Sequence, residues 1–339
     1  MKAVSLSTLG DQPAVAETAV VLLSGLIDYA GLFPPASLGM GAAVANYDAY
    51  LRGEYSWMLG RFIVPVARLA EFETAFADLR AAGFESGSSS SSSSSSSCSC
   101  SCSWGLSALP GADISGDVSR IREFNDRFAA GHSTREAGIE SIEVRIASVA
   151  EIGRVAALIP EDIETYFEIP LTAAVGDCIA AVADCGRRAK IRTGGETADK
   201  FPAAASVVEF MRLCAVNGAA FKATAGLHHP IRSAHRLTYQ ADSPTGMMHG
   251  FLNVFLAAAF LRAGIDAELA VELMDEQSAA AFQFDSKSVV WRGNRLGLDD
   301  ILMARREFAI SFGSCSFTEP VEDLRALRLL PRSAHETRA

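Results

Sequence analysis

Two short stretches of the chain carry lysines where lysine is unusual. They are 187–195, which contains Lys190, and 219–230, which contains Lys222. Each stretch runs into a glycine, and an amphipathic segment, 201–218, separates them. This order predicts two parallel strands joined by a helix, because parallel strands need a crossover of about a dozen residues. Lysine is seldom buried without a partner, so we expect both lysines to be paired or functional.

A lysine in such a place has a specific chemistry. Desolvation or a neighbouring cation lowers the pKa of the ammonium group, and the neutral amine can attack a carbonyl carbon to form a Schiff base. Lys190 and Lys222 on adjacent strands, with Arg192 close by, would supply the neighbouring cation. The spacing does not decide which lysine is the nucleophile.

Other polar residues follow the same alternation along the predicted strands. Side chains two residues apart share one face of a strand. The pairs that share a face are Glu143 and Arg145, Tyr166 and Glu168, Lys190 and Arg192, and Lys222 and Thr224. If all of them point inward, the barrel holds a polar interior that needs an anionic ligand or mutual pairing. The structural alternative is a neutralised network of buried charges that includes one or both lysines.

The elements that position these residues alternate along the whole chain. Apolar runs predict strands at 25–35, 61–67, 104–109, 139–147, 163–169, in the two lysine stretches and at 308–317, with helical segments between them. Eight such units predict an α/β fold, the (β/α)₈ TIM barrel, whose active site lies at the C-terminal ends of the strands. A doubly wound sheet would carry a Gly-x-Gly-x-x-Gly turn after its first strand, and 25–41 contains none.

The predicted organisation is one barrel domain over 1–330 with a flexible tail at 331–339. A Ser/Cys-rich tract at 86–103 predicts a disordered loop, since it cannot bury enough surface to offset its ordering entropy. The insertion at 233–306 predicts helices at 247–263 and 266–277 and a hairpin at 282–298, forming a lid or a partner surface. Its aromatic residues Phe251, Phe255 and Phe260 are the candidates for an oligomerisation surface.

Composition excludes several classes of partner. The formal charge is −10 and no cluster of Lys or Arg stands out, so nucleic-acid binding is not expected. No signal-peptide pattern and no apolar run of about 18 uncharged residues is present, which predicts a cytoplasmic protein without membrane contact. The seven cysteines are odd in number and lack disulfide spacing, so free thiols are expected. Cys98, Cys100 and Cys102 leave a soft-metal site as an alternative.

Three of the strand-end motifs resemble those of a known family. Lys190-Ile-Arg-Thr-Gly-Gly195, Lys222-Ala-Thr-Ala-Gly226 and Gly313-Ser-Cys-Ser316 are similar to the motifs of class I aldolases of the deoxyribose-phosphate aldolase type. The resemblance implies that Lys190 carries the Schiff base and Lys222 tunes it. It also implies that Gly226, Gly313 and Ser314 contact a phosphate. The family has an aspartate on strand four, where this chain has Glu143 and Arg145.

Two histidines after strand seven bring a second kind of chemistry. His228 and His229 are adjacent, so they point in opposite directions on an extended chain and seldom ligate one metal together. One of them with Glu168, His235 or His249 would make a divalent-metal site. The alternatives are proton transfer by His228 and a hydrogen-bonded loop residue.

The ends of strands one and eight also offer polar groups. Asp28 ends strand one, where it would orient a lysine, act as a base or cap a turn. The segment 313–319 follows strand eight, where barrels commonly bind anions with backbone amides. Cys315 within it has no visible activating neighbour in the sequence, which favours a buried thiol over a nucleophile.

These observations favour an enzyme that acts on a small anionic carbonyl compound, phosphorylated or not, by lysine-dependent aldolase or lyase chemistry. The expected catalytic residues are Lys190, Lys222, Glu168, His228 and Asp28; the expected substrate contacts are Arg145, Arg192, Thr224, Gly226, His229, Gly313 and Ser314. No cofactor and no metal are expected in that case, and a homo-oligomer is compatible with it. The alternatives are a metal-dependent lyase, isomerase or hydrolase using His228 or His229 with Glu168, and a non-catalytic barrel that binds partners.

Overall fold

The computed structural model describes residues 15–86, 103–129 and 136–331. The strands are β1 Ile27–Tyr29, β2 Leu59–Pro65, β3 Trp104–Leu109, β4 Ala137–Arg145, β5 Glu164–Glu168, β6 Arg188–Arg192, β7 Phe221–Thr224, β8 Ser233–Arg236, β9 Thr245–Met248, β10 Phe282–Phe284, β11 Ser288–Trp291, β12 Asn294–Gly297 and β13 Ala309–Ser314. The helices are α1 Glu17–Leu23, α2 Met40–Arg52, α3 Leu69–Ser86, α4 Ile114–Ala129, α5 Val149–Ala156, α6 Val175–Asp184, α7 Ala204–Asn217, α8 Phe251–Arg262, α9 Ala267–Met274, α10 Leu298–Glu307 and α11 Thr318–Ala326. Single 3₁₀ turns lie at Ser56–Met58, Val66–Arg68, Ala198–Lys200 and Ala279–Ala281.

Eight parallel strands close into a barrel, which confirms the predicted (β/α)₈ fold. The strands follow each other around the barrel in chain order from β1 to β7, and β13 closes the gap between β7 and β1. The registers that matter for the site place Glu168 of β5 beside Lys190 of β6, and Lys190 beside Lys222 of β7. A helix follows every barrel strand and covers its outer face, as this architecture requires.

The connection between β7 and β13 contains more structure than the sequence predicts. Met247 and Met248 belong to β9, which pairs with β8 in a hairpin, so the predicted helix at 247–263 is wrong at its first residues. The segment at 282–298 is a three-stranded sheet rather than a hairpin, although its last turn does lie at Arg292 and Gly293.

The helix α8 is part of the barrel itself. Ten of its twelve residues are buried, and the rings of Phe251 and Phe255 lie 5.2 and 5.9 Å from the ring of Phe312 on β13. A helix that is apolar on all sides is a core helix. The prediction that Phe251, Phe255 and Phe260 form a partner surface is therefore wrong, because all three are inside the chain.

Smaller differences concern local contacts. Ser148 precedes α5, where a serine hydroxyl commonly caps a helix, but its hydroxyl caps no amide. Glu151 instead accepts a hydrogen bond from the amide of Ala147 at 2.6 Å. Cys178, Cys185, Cys214 and Cys315 are free thiols, as expected. The tract at 87–102, with the three remaining cysteines, and the tail from 332 lie outside the described residues. Within the described ranges, no helix combines the length and apolar character needed to cross a bilayer.

Candidate active site

A cavity of about 1240 Å³ opens at the C-terminal ends of the barrel strands. This is the end at which barrel enzymes place their catalytic groups. Eight of the twelve predicted site residues line it: Arg145, Glu168, Lys190, Arg192, Thr224, Gly226, His228 and Gly313. The other four, Asp28, Lys222, His229 and Ser314, do not line it.

Lys190 lies at the floor of the cavity between two carboxylates. Its Nζ is 2.8 Å from Oε2 of Glu143 and 2.8 Å from Oε2 of Glu168. Only 5% of the side chain is exposed, yet the residue is part of the cavity lining. Of the two strand lysines, Lys190 is therefore the one that a molecule in the cavity can reach.

Lys222 lies one layer deeper and is fully buried. Its Nζ donates hydrogen bonds of 2.6 Å to Oδ2 of Asp28 and 2.6 Å to Oε1 of Glu143, and it lies 5.3 Å from the ring centre of Tyr166. Burial alone would lower the pKa of Lys222, but the carboxylates of Asp28 and Glu143 raise it above its ordinary value. The amine is thus held in its charged form and away from the cavity.

The charges around the lysines correct one expectation from the sequence. A pKa lowered by a neighbouring cation was expected, but for Lys222 the shift is upward, because the carboxylates of Asp28 and Glu143 lie 2.6 Å from its Nζ. The neutralised network, which was the structural alternative, is present. It has two levels, with Lys222 below the cavity floor and Lys190 facing the cavity.

Glu143 joins the two levels. Its Oε1 accepts hydrogen bonds from Lys222 and from the hydroxyl of Ser107 at 2.7 Å, while the Oε2 near Lys190 accepts no hydrogen bond from the described residues. The Lys190 contact is thus an ion pair rather than a well-directed hydrogen bond. Burial would raise the pKa of Glu143, but Lys190 and Lys222 together hold it well below its ordinary value.

Glu168 connects Lys190 to the cavity mouth. Its Oε1 accepts hydrogen bonds from Arg145 at 3.2 Å and from Nε of Arg192 at 3.3 Å. Burial raises the pKa of Glu168, but Lys190 and the two guanidinium groups lower it below its ordinary value overall. The arginine side chains are 73% and 44% exposed, so their remaining N–H groups face solvent at the mouth.

Asp28 has the first of its predicted roles, the orientation of a lysine. It is 2% exposed, and besides Lys222 it accepts hydrogen bonds from the hydroxyl of Ser311 at 2.7 Å and the amide of Arg61 at 2.7 Å. These contacts occupy both carboxylate oxygens. Asp28 thus holds Lys222 rather than reaching the cavity mouth.

The adjacent histidines bind carboxylates of α11 and not Glu168. Nδ1 of His228 lies 3.2 Å from Oε2 of Glu319, and Nδ1 of His229 lies 2.6 Å from Oδ2 of Asp323. The ring of His229 stacks on His235 at 3.4 Å. Over the described ranges, no group of three or more His, Cys, Asp or Glu side chains has metal-binding geometry. The predicted combination of Glu168 with a histidine is therefore not assembled.

A cluster around His228 includes a residue that the sequence analysis left without a partner. Sγ of Cys315 lies 3.9 Å from Nδ1 of His228 and 3.7 Å from the hydroxyl of Tyr239, which donates to Glu319 at 3.0 Å. Burial would lower the pKa of His228, but Cys315 and Glu319 raise it to about 9. His228 is therefore an imidazolium at neutral pH on the cavity wall. Only the fold brings residues 228, 239 and 315 together, so sequence spacing could not reveal the cluster.

The loops after β6 and β7 touch at two glycines. A Cβ on Gly226 would lie 2.8 Å from Cα of Gly194, and the φ of Gly226 is +75°, which favours glycine. The hydroxyl of Thr193 stabilises this contact, because it donates a hydrogen bond of 2.7 Å to the carbonyl of Ala225. Glycine is thus needed in both motifs because the two loops pack closely against each other.

In the segment after β13, two backbone amides donate hydrogen bonds to serine hydroxyls of the same segment. The amide of Ser316 donates to Oγ of Ser314 at 3.3 Å, and the amide of Glu319 donates to Oγ of Ser316 at 3.2 Å. These amides are therefore already used, and the carboxylate of Glu319 nearby would repel an anion. Arg145 and Arg192 are better placed to bind an anion than this segment is.

No model of a known protein family matches this chain, and no curated protein sequence is significantly similar to it. The fold and the geometry of the cavity therefore carry the functional argument.

Proposed function

We propose that this barrel is a lyase of the aldolase type that acts on a small anionic carbonyl compound through a Schiff base on Lys190. The observation that carries the proposal is the position of Lys190. It is a lysine at the floor of a large strand-end cavity, and a second, buried lysine is paired with it across β6 and β7. The resemblance of the motifs to those of the deoxyribose-phosphate aldolase type is consistent with this assignment.

The charges at the site favour an anionic substrate. Asp28, Glu143 and Glu168 supply three negative charges, while Lys190, Lys222, Arg145 and Arg192 supply four positive charges. Glu196 and Asp199 add two negative charges to the cavity lining and Lys200 adds one positive charge, so the preference for an anion comes from the exposed arginine donors and not from an excess of positive charge. The free N–H groups of Arg145 and Arg192 would bind a carboxylate or a phosphate.

The same arginines give a route to the neutral amine. An anion bound to Arg145 and Arg192 competes for the donors that Glu168 now uses. Glu168 then loses part of its cationic surroundings, its pKa rises, and it can accept a proton from Lys190. The neutral amine attacks the carbonyl carbon to give a carbinolamine. Loss of water, for which His228 can donate the proton, gives the iminium, which accepts the electron pair released when the bond between the carbons α and β to it breaks.

Reductive trapping tests the proposal. The protein is incubated with anionic aldehydes and 2-oxo acids, with and without phosphate, and reduced with borohydride. We expect covalent mass on the peptide that contains Lys190 and none in Lys190→Met. Lys200→Met is the matched control, because Lys200 also lines the cavity but is exposed and is paired with Asp199. No adduct on Lys190 across the panel, or equal labelling of Lys190 and Lys200, would refute the proposal.

A further inference from the structure

The cavity is larger than a small sugar or a short oxo acid requires. Its volume of about 1240 Å³ exceeds the roughly 300–1,000 Å³ common for sites that enclose drug-sized ligands. The charged groups described above occupy the ends of β4, β5 and β6. The residues on the other sides of the cavity therefore decide what the remaining space can bind.

The wall formed by the first three strands is apolar. The residues that it contributes are Ala30, Phe33, Pro34, Pro35, Ile63, Leu109 and Pro110. No charged side chain from β1, β2, β3 or the turns after them is among the described lining residues. Phe33, Leu109 and Pro110 are half-buried, so they present apolar surface to the cavity. Apolar surface of this kind at the bottom of a cleft is a binding surface for an apolar group.

Gly313 allows the apolar wall and the end of β7 to come close together. A Cβ built on Gly313 would lie 3.2 Å from Cδ1 of Ile63 and 3.2 Å from Oγ1 of Thr224. Its backbone is not in the left-handed region, so conformation does not require glycine there. Glycine is needed for packing, because a larger residue would displace Ile63, a member of the apolar wall.

We propose that the substrate is amphipathic: a 2-oxo acid or a comparable anionic carbonyl compound with an aliphatic or aromatic tail of several carbons. This inference rests on the proposed function for the position of the carbonyl group at Lys190. The anionic group binds Arg145 and Arg192, and the tail lies on the apolar wall at Ile63 and Leu109. Each methylene buried on that wall should tighten binding about threefold to fourfold.

The experiment measures binding by calorimetry along a homologous series: pyruvate, 2-oxobutanoate, 2-oxohexanoate and 2-oxooctanoate. With the wild-type protein, affinity should rise about threefold per carbon. Leu109→Ser should flatten this rise for the longer acids. Leu158→Ser, at an exposed position outside the lining, is the matched control and should keep the wild-type slope. Circular dichroism and thermal unfolding check that each variant is folded.

The outcomes separate this inference from the proposed function. Affinity that rises with chain length, without a borohydride adduct on Lys190, supports the amphipathic substrate and refutes the Schiff base. An adduct on Lys190 together with affinity that is independent of chain length refutes the amphipathic substrate alone. The same slope in Leu109→Ser as in the wild-type protein also overturns it. If no member of the series binds, the amphipathic substrate is wrong, while reductive trapping with the anionic aldehydes still decides the Schiff base.

Discussion

Lys190 and Lys222 are direct neighbours in the pairing of β6 with β7, yet their surroundings differ. Both share Glu143, but the second partner of Lys222 is the buried Asp28, and that of Lys190 is Glu168 at the cavity. Water can replace a lost partner of Lys190 but not of Lys222. The two lysines should therefore contribute differently to stability and to activity.

This difference predicts a contrast between two matched variants. Lys222→Met leaves Asp28 buried without its cation, so the free energy of unfolding should fall by about 3–5 kcal/mol. Lys190→Met should lower the free energy of unfolding clearly less, because Glu168 keeps its contacts with Arg145 and Arg192. The same substitution should abolish reductive trapping. Urea unfolding and peptide mass spectrometry measure the two effects. Equal losses of stability in both variants would contradict the two-level arrangement.

A second prediction at this scale concerns His228. Its pKa, raised to about 9 by Cys315 and Glu319 against the effect of burial, exceeds the roughly 6.5 of an unfolded histidine. The contribution of His228 to the free energy of unfolding is therefore complete below pH 6.5. It is lost as the pH rises toward 9, which lowers the free energy of unfolding by up to about 3 kcal/mol. NMR titration of the imidazole should give a midpoint near 9 in the wild-type protein.

Glu319→Gln provides the control for this titration. Without the carboxylate, the midpoint should move down toward the ordinary value, and the unfolding free energy should change less between pH 6.5 and 9. A wild-type midpoint near 6.5 would mean that the imidazolium is not the resting form of His228. That result would remove its role as a proton donor.

At the scale of elements, α8 shows that the long connection after β7 contributes to the core of the barrel. Phe255 packs on Phe312, and its ring lies 5.4 Å from the guanidinium of Arg305. Phe255→Ala should lower the free energy of unfolding by about 3–5 kcal/mol, because it leaves a cavity in the core. Val216→Ala, at a position that is 72% exposed on α7, should be nearly neutral. Calorimetry measures both, and a neutral Phe255→Ala would mean that α8 is not tightly packed on β13.

The elements also show where sequence reasoning succeeds and where it fails. The strand periodicity and the glycine-ended lysine motifs predict the barrel, because each strand–helix unit is local in sequence. The β8–β9 hairpin was missed, since 233–248 is short, partly exposed and polar. The all-round apolar pattern of α8 fits a partner surface as well as a core helix, and only its packing on Phe312 decides between them.

For the site, alternation along strands predicts which face a side chain shares but not its depth. Glu143 and Arg145 share a face of β4, yet Glu143 is 4% exposed while the side chain of Arg145 is 73% exposed. Depth depends on the tilt and stagger of the closed barrel, which no single strand contains. For the same reason, the sequence could not tell which lysine reaches the cavity.

Across the whole molecule, the interior of the barrel is a column of paired polar groups. At the N-terminal end, Glu164 binds Arg61 at 3.0 Å and Arg188 at 2.9 Å. Tyr166 lies above them and donates to Glu164 at 2.5 Å, and the Lys222 and Lys190 levels follow toward the cavity. Barrel interiors are more often filled with branched apolar side chains. A column of this kind binds the strands to one another through charge, so its stability must depend on pH.

Glu143, at the centre of the column, gives the prediction for the whole fold. Its folded pKa lies below its unfolded value, so its stabilising effect is present above about pH 4.3 and is lost as the pH falls further. Glu143→Gln should lower the free energy of unfolding by on the order of 3 kcal/mol at pH 7. The gap to wild type should shrink as the pH falls below 4, because Glu143 of the unfolded chain then binds a proton that the folded state does not bind. Urea unfolding across pH measures it, with the exposed Glu123→Gln as control. A gap that stays constant with pH would mean that Glu143 is not an anion in the folded barrel.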